Sequence, residues 1–227
     1  MYSYYLIKTD GILTAKDIAD ATVAKLPNQT VGDEKYVDAN HDGIIDSRDR
    51  VVAGRPTPKF TFGFTNNVRY KDFDLSVQVY GQTGGSIYSF LGRAIDNYSN
   101  GRATNLGIWR NRYSDANQNY NAPRGKITAT YTLPAFTTDW LYSSDFLRIQ
   151  NITLGYNLKR HIKTNAIGGA RIYASVQNWF GWDKFKGGVN PEAQNTNVSG
   201  NSSYPLPGDY GAMPLNKTVT VGVNVTF

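Results

Sequence analysis

The sequence predicts an all-β fold: an antiparallel segment of a transmembrane β-barrel with long loops collected at one end. Three observations lead there. Apolar and polar residues alternate with period two in five segments, short and long connections between those segments strictly alternate, and the last segment closes on an aromatic residue, Phe227. A pleated strand sends successive side chains to opposite faces, so period two marks a strand with one apolar and one polar face.

A weaker candidate strand comes first, over residues 3–9, followed by a long connection over residues 10–58. The first clear segment sets Phe60, Phe62, Phe64, Asn66, Val68 and Tyr70 against Thr61, Gly63, Thr65, Asn67 and Arg69. After a tight turn, Phe73, Leu75, Val77 and Val79 alternate with Asp74, Ser76, Gln78 and Tyr80. A second long connection covers residues 81–145. The third segment carries Ile152, Leu154, Tyr156 and Leu158 on its apolar face, and a moderate turn over 159–170 leads to Ile172, Ala174 and Val176. A third long connection, 181–217, precedes Val219, Val221, Val223, Val225 and Phe227.

Two architectures use such strands. A soluble β-sandwich packs the apolar faces together, whereas a membrane barrel turns them to lipid and keeps the polar faces for its lumen. Connection length separates them. Outer-membrane barrels join strands by short turns on one side and long loops on the other, and the three long connections here far exceed the ~4–6 residue norm. A further hairpin within 81–145 would keep the parity. Closure of a small eight-stranded barrel would require it.

Composition agrees with strands and turns: 16 Tyr, 10 Phe, 4 Trp and 22 Gly. Zero cysteines exclude disulfides and thiolate chemistry. The net charge of +6 is spread along the chain. Its densest basic stretch, residues 159–163, reads as a solvated turn, so no nucleic-acid partner is expected. No apolar run approaches the ~18 residues of a membrane helix. The mean hydropathy of -0.45 is compatible with a barrel, whose two faces average out.

One motif carries chemistry. Residues 38–49 fit the D-x-[DN]-x-[DN]-G pattern of a calcium loop, with Asp38, Asn40 and Asp42 at positions one, three and five and Gly43 at the sharp turn. Ile44 offers a backbone carbonyl, and Asp46 and Asp49 take positions nine and twelve. Asp49 stands where an EF-hand has a bidentate Glu, which makes the loop similar to dockerin-type loops and points to a structural Ca²⁺. The alternative is an acidic turn that binds nothing. Only two histidines occur, His41 and His161, and no nucleophile, zincin or P-loop motif is present, so no catalytic residue is assigned. Trp140, Tyr142, Trp179, Phe180, Trp182 and Phe185 lie near the long-loop ends of strands. An interfacial aromatic girdle is the favoured reading for them, ahead of stacking on sugar rings.

Family resemblance adds to this. The stretches Tyr36-Val37-Asp38-Ala39-Asn40-His41-Asp42-Gly43, Gly54-Arg55-Pro56-Thr57-Pro58, Phe73-Asp74-Leu75-Ser76, Phe146-Leu147-Arg148-Ile149-Gln150-Asn151-Ile152-Thr153-Leu154-Gly155-Tyr156 and Val221-Gly222-Val223-Asn224-Val225-Thr226-Phe227 occur in an order that resembles the SusC/RagA family of TonB-linked outer-membrane receptors. The resemblance covers nearly all of residues 1–227. It implies the C-terminal part of a large receptor barrel, with 10–58 as an extracellular loop and the plug domain outside this sequence. It also implies a multi-pass barrel in the outer membrane of a Gram-negative bacterium. The expected role is active import of oligosaccharides or peptides, with a SusD-like surface lipoprotein as lid and the TonB complex acting through the plug. On this reading Met1 is an internal methionine or a truncated start. The competing expectation is a soluble or surface β-sandwich that binds glycans and is stabilised by calcium.

Overall fold

The computed structural model describes residues 3–95, 111–119, 122–125, 136–161, 167–193 and 208–227. In chain order the elements are β1 (Tyr4–Ile7), β2 (Thr9–Ile12), α1 (Ala15–Ala19), β3 (Glu34–Tyr36), β4 (Arg50–Gly54), β5 (Phe60–Tyr70) and β6 (Phe73–Thr83). They continue with β7 (Ser86–Ser89), α2 (Phe90–Ile95), β8 (Leu141–Ser143), β9 (Phe146–Asn157), β10 (Gly169–Asp183), β11 (Gly208–Asp209) and β12 (Thr218–Thr226).

The five alternating segments form one antiparallel sheet in the order β12-β10-β9-β6-β5. Strands that follow one another in the meander are neighbours in space, and all the long connections leave from one end. Because β6 pairs directly with β9, residues 81–145 insert no further strand between them, which removes the extra hairpin. Cross-strand rows such as Leu75, Leu154 and Ala174 keep apolar residues on one face. Nothing among the described residues packs on that face, and Phe60, Phe64, Val68, Leu154, Val221 and Val223 are all exposed. A sandwich would bury them, so the sheet is of barrel type. Strand β5 has 11 residues. At ~3.4 Å per residue and a tilt of ~40° its vertical reach is about 26–29 Å, enough to span the ~25 Å apolar band of an outer-membrane barrel. Among the described residues, the outer edges of β5 and β12 have no partner strand.

Two strands run further than the alternation suggests. Relative to β6, strand β9 holds one extra residue, Gln150, between the rows Gln78–Asn151 and Val79–Ile149. Opposite Gln150, β10 holds two residues, Asn178 and Trp179, between Gln177 and Phe180. These are β-bulges: the single extra residue switches the apolar face of β9 from even to odd positions, through Ile149 and Leu147, whereas the two residues in β10 leave its even positions on that face, through Phe180 and Trp182.

The long connections build a second, conventionally buried body at the loop end. Here β1 pairs with β4, β2 with β3, and β7 lies between β8 and β11. Tyr4, Leu6, Tyr88 and Phe90 form its main buried cluster. The first candidate strand therefore does not join the barrel sheet: Tyr4 and Leu6 point into this cluster, and its pairing is with β4. A capping box between Thr14 and Asp17 starts the single turn α1, and Lys35 holds Asp17 at 2.8 Å. Of the basic stretch, Lys159–His161 form a 3-10 turn in which Arg160 meets Asp72 at 3.3 Å; the remainder lies outside the described residues.

Candidate functional site: the barrel wall and its acidic loop

The polar face of the sheet is tiered. Near the tight-turn end, Arg171 on β10 reaches across β9 to Asp74 on β6, donating through Nε at 2.9 Å and through Nη2 at 2.5 Å. Glycine makes the crossing possible: a Cβ on Gly155 would lie 2.3 Å from the guanidinium. Arg171 also lies over the Tyr173 ring, 5.3 Å from its centroid. Together with Arg69, Lys71, Asp72 and Asn157, this pair lines a polar cavity of about 370 Å³.

The middle tier is neutral. Ser175 donates to Asn151 Oδ1 at 2.6 Å, Asn151 donates to Thr153 at 3.1 Å, and the Thr153 and Ser175 hydroxyls lie 3.1 Å apart. This closed triangle satisfies groups that would otherwise be under-bonded in a wall sealed on its other side by apolar residues. The upper tier, at the loop end, holds Tyr80 against Phe146 with ring centroids 5.4 Å apart, and Arg148 paired with Glu192.

The acidic loop folds as a series of side-chain-closed turns. Asp38 accepts from the amides of His41, Asp42 and Gly43, at 2.7, 3.3 and 2.7 Å. Positive φ at His41 (61°) and Gly43 (79°) lets the backbone curl inward. Asn40 accepts from the Asp42 amide, and Asp42 from that of Ile44. Asp49 is fully buried, with Ala39 and Asp46 amides on its two oxygens at 2.9 and 2.8 Å. Desolvation works to raise the Asp38 carboxyl, but the three amide donors outweigh it and hold the group below its ordinary 3.8. Asp46 is held low by its hydrogen bonds to Arg48.

The donor types suit a hard cation. Among the described residues, no three acidic or histidine side chains converge closely enough to share an ion. The Arg48 guanidinium instead bridges Asp42 and Asp46, 2.9 Å from each. Asp38, Asn40, Asp42, Ile44, Asp46 and Asp49 therefore share one loop, with much of their capacity spent on backbone amides and on Arg48.

The six aromatic residues divide, which corrects the single girdle. Trp140 packs against the Tyr4–Tyr88 cluster, and Tyr142 packs edge-on against buried Phe185 at 5.9 Å. These three pack into the loop body: Trp140 from the 3-10 turn before β8, Tyr142 from β8 itself, and Phe185 from the segment just past β10. Trp179, Phe180 and Trp182 remain exposed at the loop end of β10, and the Trp179 indole donates to the Thr218 carbonyl at 3.3 Å. An exposed ring with one polar handle is the chemistry of a membrane interface. The upper-tier groups Tyr80, Arg148 and Gln150 had no motif to flag them. The only signal for Gln150 is the break in alternation that it causes.

No family model matches the chain. It is similar to TonB-dependent receptor P3 of Formosa agariphila, with 29% identity over 227 residues, 99% of this chain and 22% of that receptor. TonB-dependent receptor P26 of the same organism is 30% identical over 226 residues, 97% of this chain and 22% of the receptor. TonB-dependent receptor SusC of Bacteroides thetaiotaomicron is 31% identical over 175 residues, 76% of this chain and 16% of SusC. Among solved structures, the RagAB peptide transporter superposes with a TM-score of 0.66 at 23% identity, over 99% of this chain and 23% of that one. The RagAB peptide importer in its open-open state gives 0.63 at 24% identity. The chain thus spans less than a quarter of the length of the relatives it matches.

Proposed function

The chain belongs to the SusC/RagA family of TonB-dependent receptors, as one stretch of the receptor barrel, and from that premise we propose that it works in energised import across the outer membrane. The observation that carries the proposal is the sheet's inverted exposure. Its apolar face is bare over the height of a bilayer, its polar face is hydrogen-bonded like a lumen wall, and its long connections fold into a packed body at one end. The imported solute is an oligosaccharide or a peptide. A SusD-like lipoprotein caps the loop end, and the TonB complex acts through the plug of the whole receptor. RagAB, named as a peptide transporter, and the receptors named for TonB dependence support this reading.

The test is uptake. Deleting the receptor gene should abolish growth on its solute, and removing the TonB complex should do the same with receptor levels unchanged. Uptake that persists without TonB overturns the proposal. Copurification of a surface lipoprotein with the tagged receptor tests the lid.

Calcium enters as a narrower proposal: Ca²⁺ joins the 38–49 loop only where Arg48 releases Asp42 and Asp46. Arg48 already engages oxygens of both carboxylates, so it competes with a metal for them.

A further inference from the structure

The paired bulges of β9 and β10 open a concavity of about 430 Å³ on the polar face at the loop end, lined by Tyr80, Arg148, Gln150, Asn178, Glu192 and Leu215. We propose that this concavity is a solute subsite that takes an uncharged, hydroxyl-bearing ring, the chemistry of one residue of a neutral oligosaccharide. The proposal rests on the import reading above and names a place on the wall for it.

Its size falls within the ~300–1,000 Å³ range of ligand pockets. Geometry supplies the unusual part. A regular ladder would project Arg148, Gln150 and their β10 neighbours at even spacing. Here Gln150 is squeezed out as an extra residue, opposite two bulged residues of β10. Asn178 is held at φ 56°, a left-handed conformation uncommon outside glycine, with its Nδ2 donating to the Asn216 carbonyl at 3.2 Å. Bulges that re-aim side chains are frequent next to binding sites.

The chemistry selects the ligand. Arg148 and Glu192 neutralise each other, and the other four lining residues carry no charge. A charged solute would therefore find no uncompensated counter-charge in the lining, and desolvating it there would be unfavourable. Among the described residues the Gln150 amide and the Tyr80 hydroxyl have no hydrogen-bond partner, and Asn178 has its Oδ1 free, so the cleft offers both donors and acceptors. Tyr80 and Leu215 add apolar surface for the C–H face of a ring. That combination of a ring-sized apolar floor with amides and a balanced ion pair suits vicinal hydroxyls better than a charged peptide.

Calorimetry on the full-length receptor in detergent tests this. The probes are neutral malto-, cello- and xylo-oligosaccharides, an oligogalacturonate series and charged tripeptides. A neutral series should bind, and Gln150→Ala should weaken it about 5- to 10-fold, the loss of one or two neutral hydrogen bonds. Glu192→Gln, which leaves Arg148 without its counter-charge, should shift preference toward the oligogalacturonates by about 10-fold. If Gln150→Ala does not reach the folded, heat-modifiable form, Tyr80→Leu reads the same loss. Retention of peptides alone, retention of no glycan at all, or variants that bind as the parent does would each overturn the subsite. Uptake that is independent of TonB would instead sink the import reading and leave the calorimetry untouched.

Discussion

The barrel sheet and the loop body are built from the same residue types and treat them in opposite ways. In the sheet, Phe64 is 60% exposed and Val221 77%, whereas in the loop body Tyr4, Leu6, Ile87 and Tyr88 are fully buried. Apolar side chains avoid water in both places. In the loop body they do so by meeting each other, as Tyr88 and Phe90 do at 4.8 Å and Phe90 and Tyr210 do at 4.3 Å in a near-parallel stack. On the sheet no described residue covers them, which fits the lipid-facing wall of an outer-membrane barrel. The backbones differ as well. Sheet strands satisfy their amides along long ladders, interrupted at the bulges of β9 and β10, while the loops use side-chain caps and short two- or three-stranded pairings that tolerate water. The two regions share a chain but answer to different solvents.

The largest expected effect separates the two bodies. Tyr88→Ala removes the centre of the buried aromatic cluster and should destabilise the loop body by ~3–5 kcal/mol. Hydrogen exchange on the full-length receptor should show protection lost in β1, β4, β7 and β8, with β9, β10 and β12 unaffected. Loss in the sheet as well would mean that the two regions form one cooperative unit and would break the comparison.

Next comes a charge on the bare face. Val77 sits near the middle of its strand, in a row with Ile152 and Val176. Val77→Arg should destabilise the receptor folded in lipid vesicles by ~2–4 kcal/mol, as for a cation at the bilayer midplane. Ser76→Arg, one residue along on the polar face, should have a much smaller effect. Equal effects in denaturant titrations would remove the claim that the faces meet different media.

Much of the sheet was legible because its strands obey period two and its connections alternate in length. Three places were not. Alternation stops at Asn151 because a bulge shifts the parity of β9 there, and in β10 polar Asn178 interrupts an even-numbered apolar face that resumes at Phe180, so the outer ends of the two strands, with Leu147, Ile149, Phe180 and Trp182, did not look continuous with the rest. Tyr4 and Leu6 alternate like barrel residues, but two apolar positions suit a loop core equally well, and only the pairing with β4 decides. The division of Trp140, Tyr142 and Phe185 from Trp179, Phe180 and Trp182 depends on which of them pack into the buried clusters of the loop body, and that is a tertiary fact. In the acidic loop the spacing of six residues was plain. Arg48, lying between two of them in sequence, reads as a bystander until its guanidinium is seen spanning Asp42 and Asp46.

A third, smaller effect sharpens the lumen side of the comparison. Arg171 and Asp74 are each about a quarter to a third exposed, so solvent screens part of their attraction. Arg171→Ala should destabilise the receptor by only ~1–2 kcal/mol, the range for a hydrogen-bonded charge pair discounted for exposure. Gly155→Val should do comparable damage without removing either charge, because its side chain would occupy the path of the guanidinium. If Gly155→Val were neutral in the same denaturant titration, the crossing over β9 would not be what holds the pair.

The smallest effect belongs to the acidic loop, where hydrogen bonds outweigh desolvation at Asp38 and Asp46. Asp38 and Asp46 are both held below 3.8 in the folded loop. A carboxyl lowered on folding lends stability above its unfolded value, and that stability is lost as pH falls through the folded value. Protection of amides 39–48 should therefore be flat from pH 7 to about 5 and decline below about 4, while the sheet keeps its protection. Calcium separates the two carboxylates tied to Arg48 from the rest. Arg48→Ala frees Asp42 and Asp46, so the variant should take up Ca²⁺ more tightly than the parent receptor, and Ca²⁺ should restore the protection that the substitution removes. If the variant binds no better, then guanidinium and metal do not compete for the same oxygens. The loop would then be a hydrogen-bonded turn that resembles a calcium site only in its spacing.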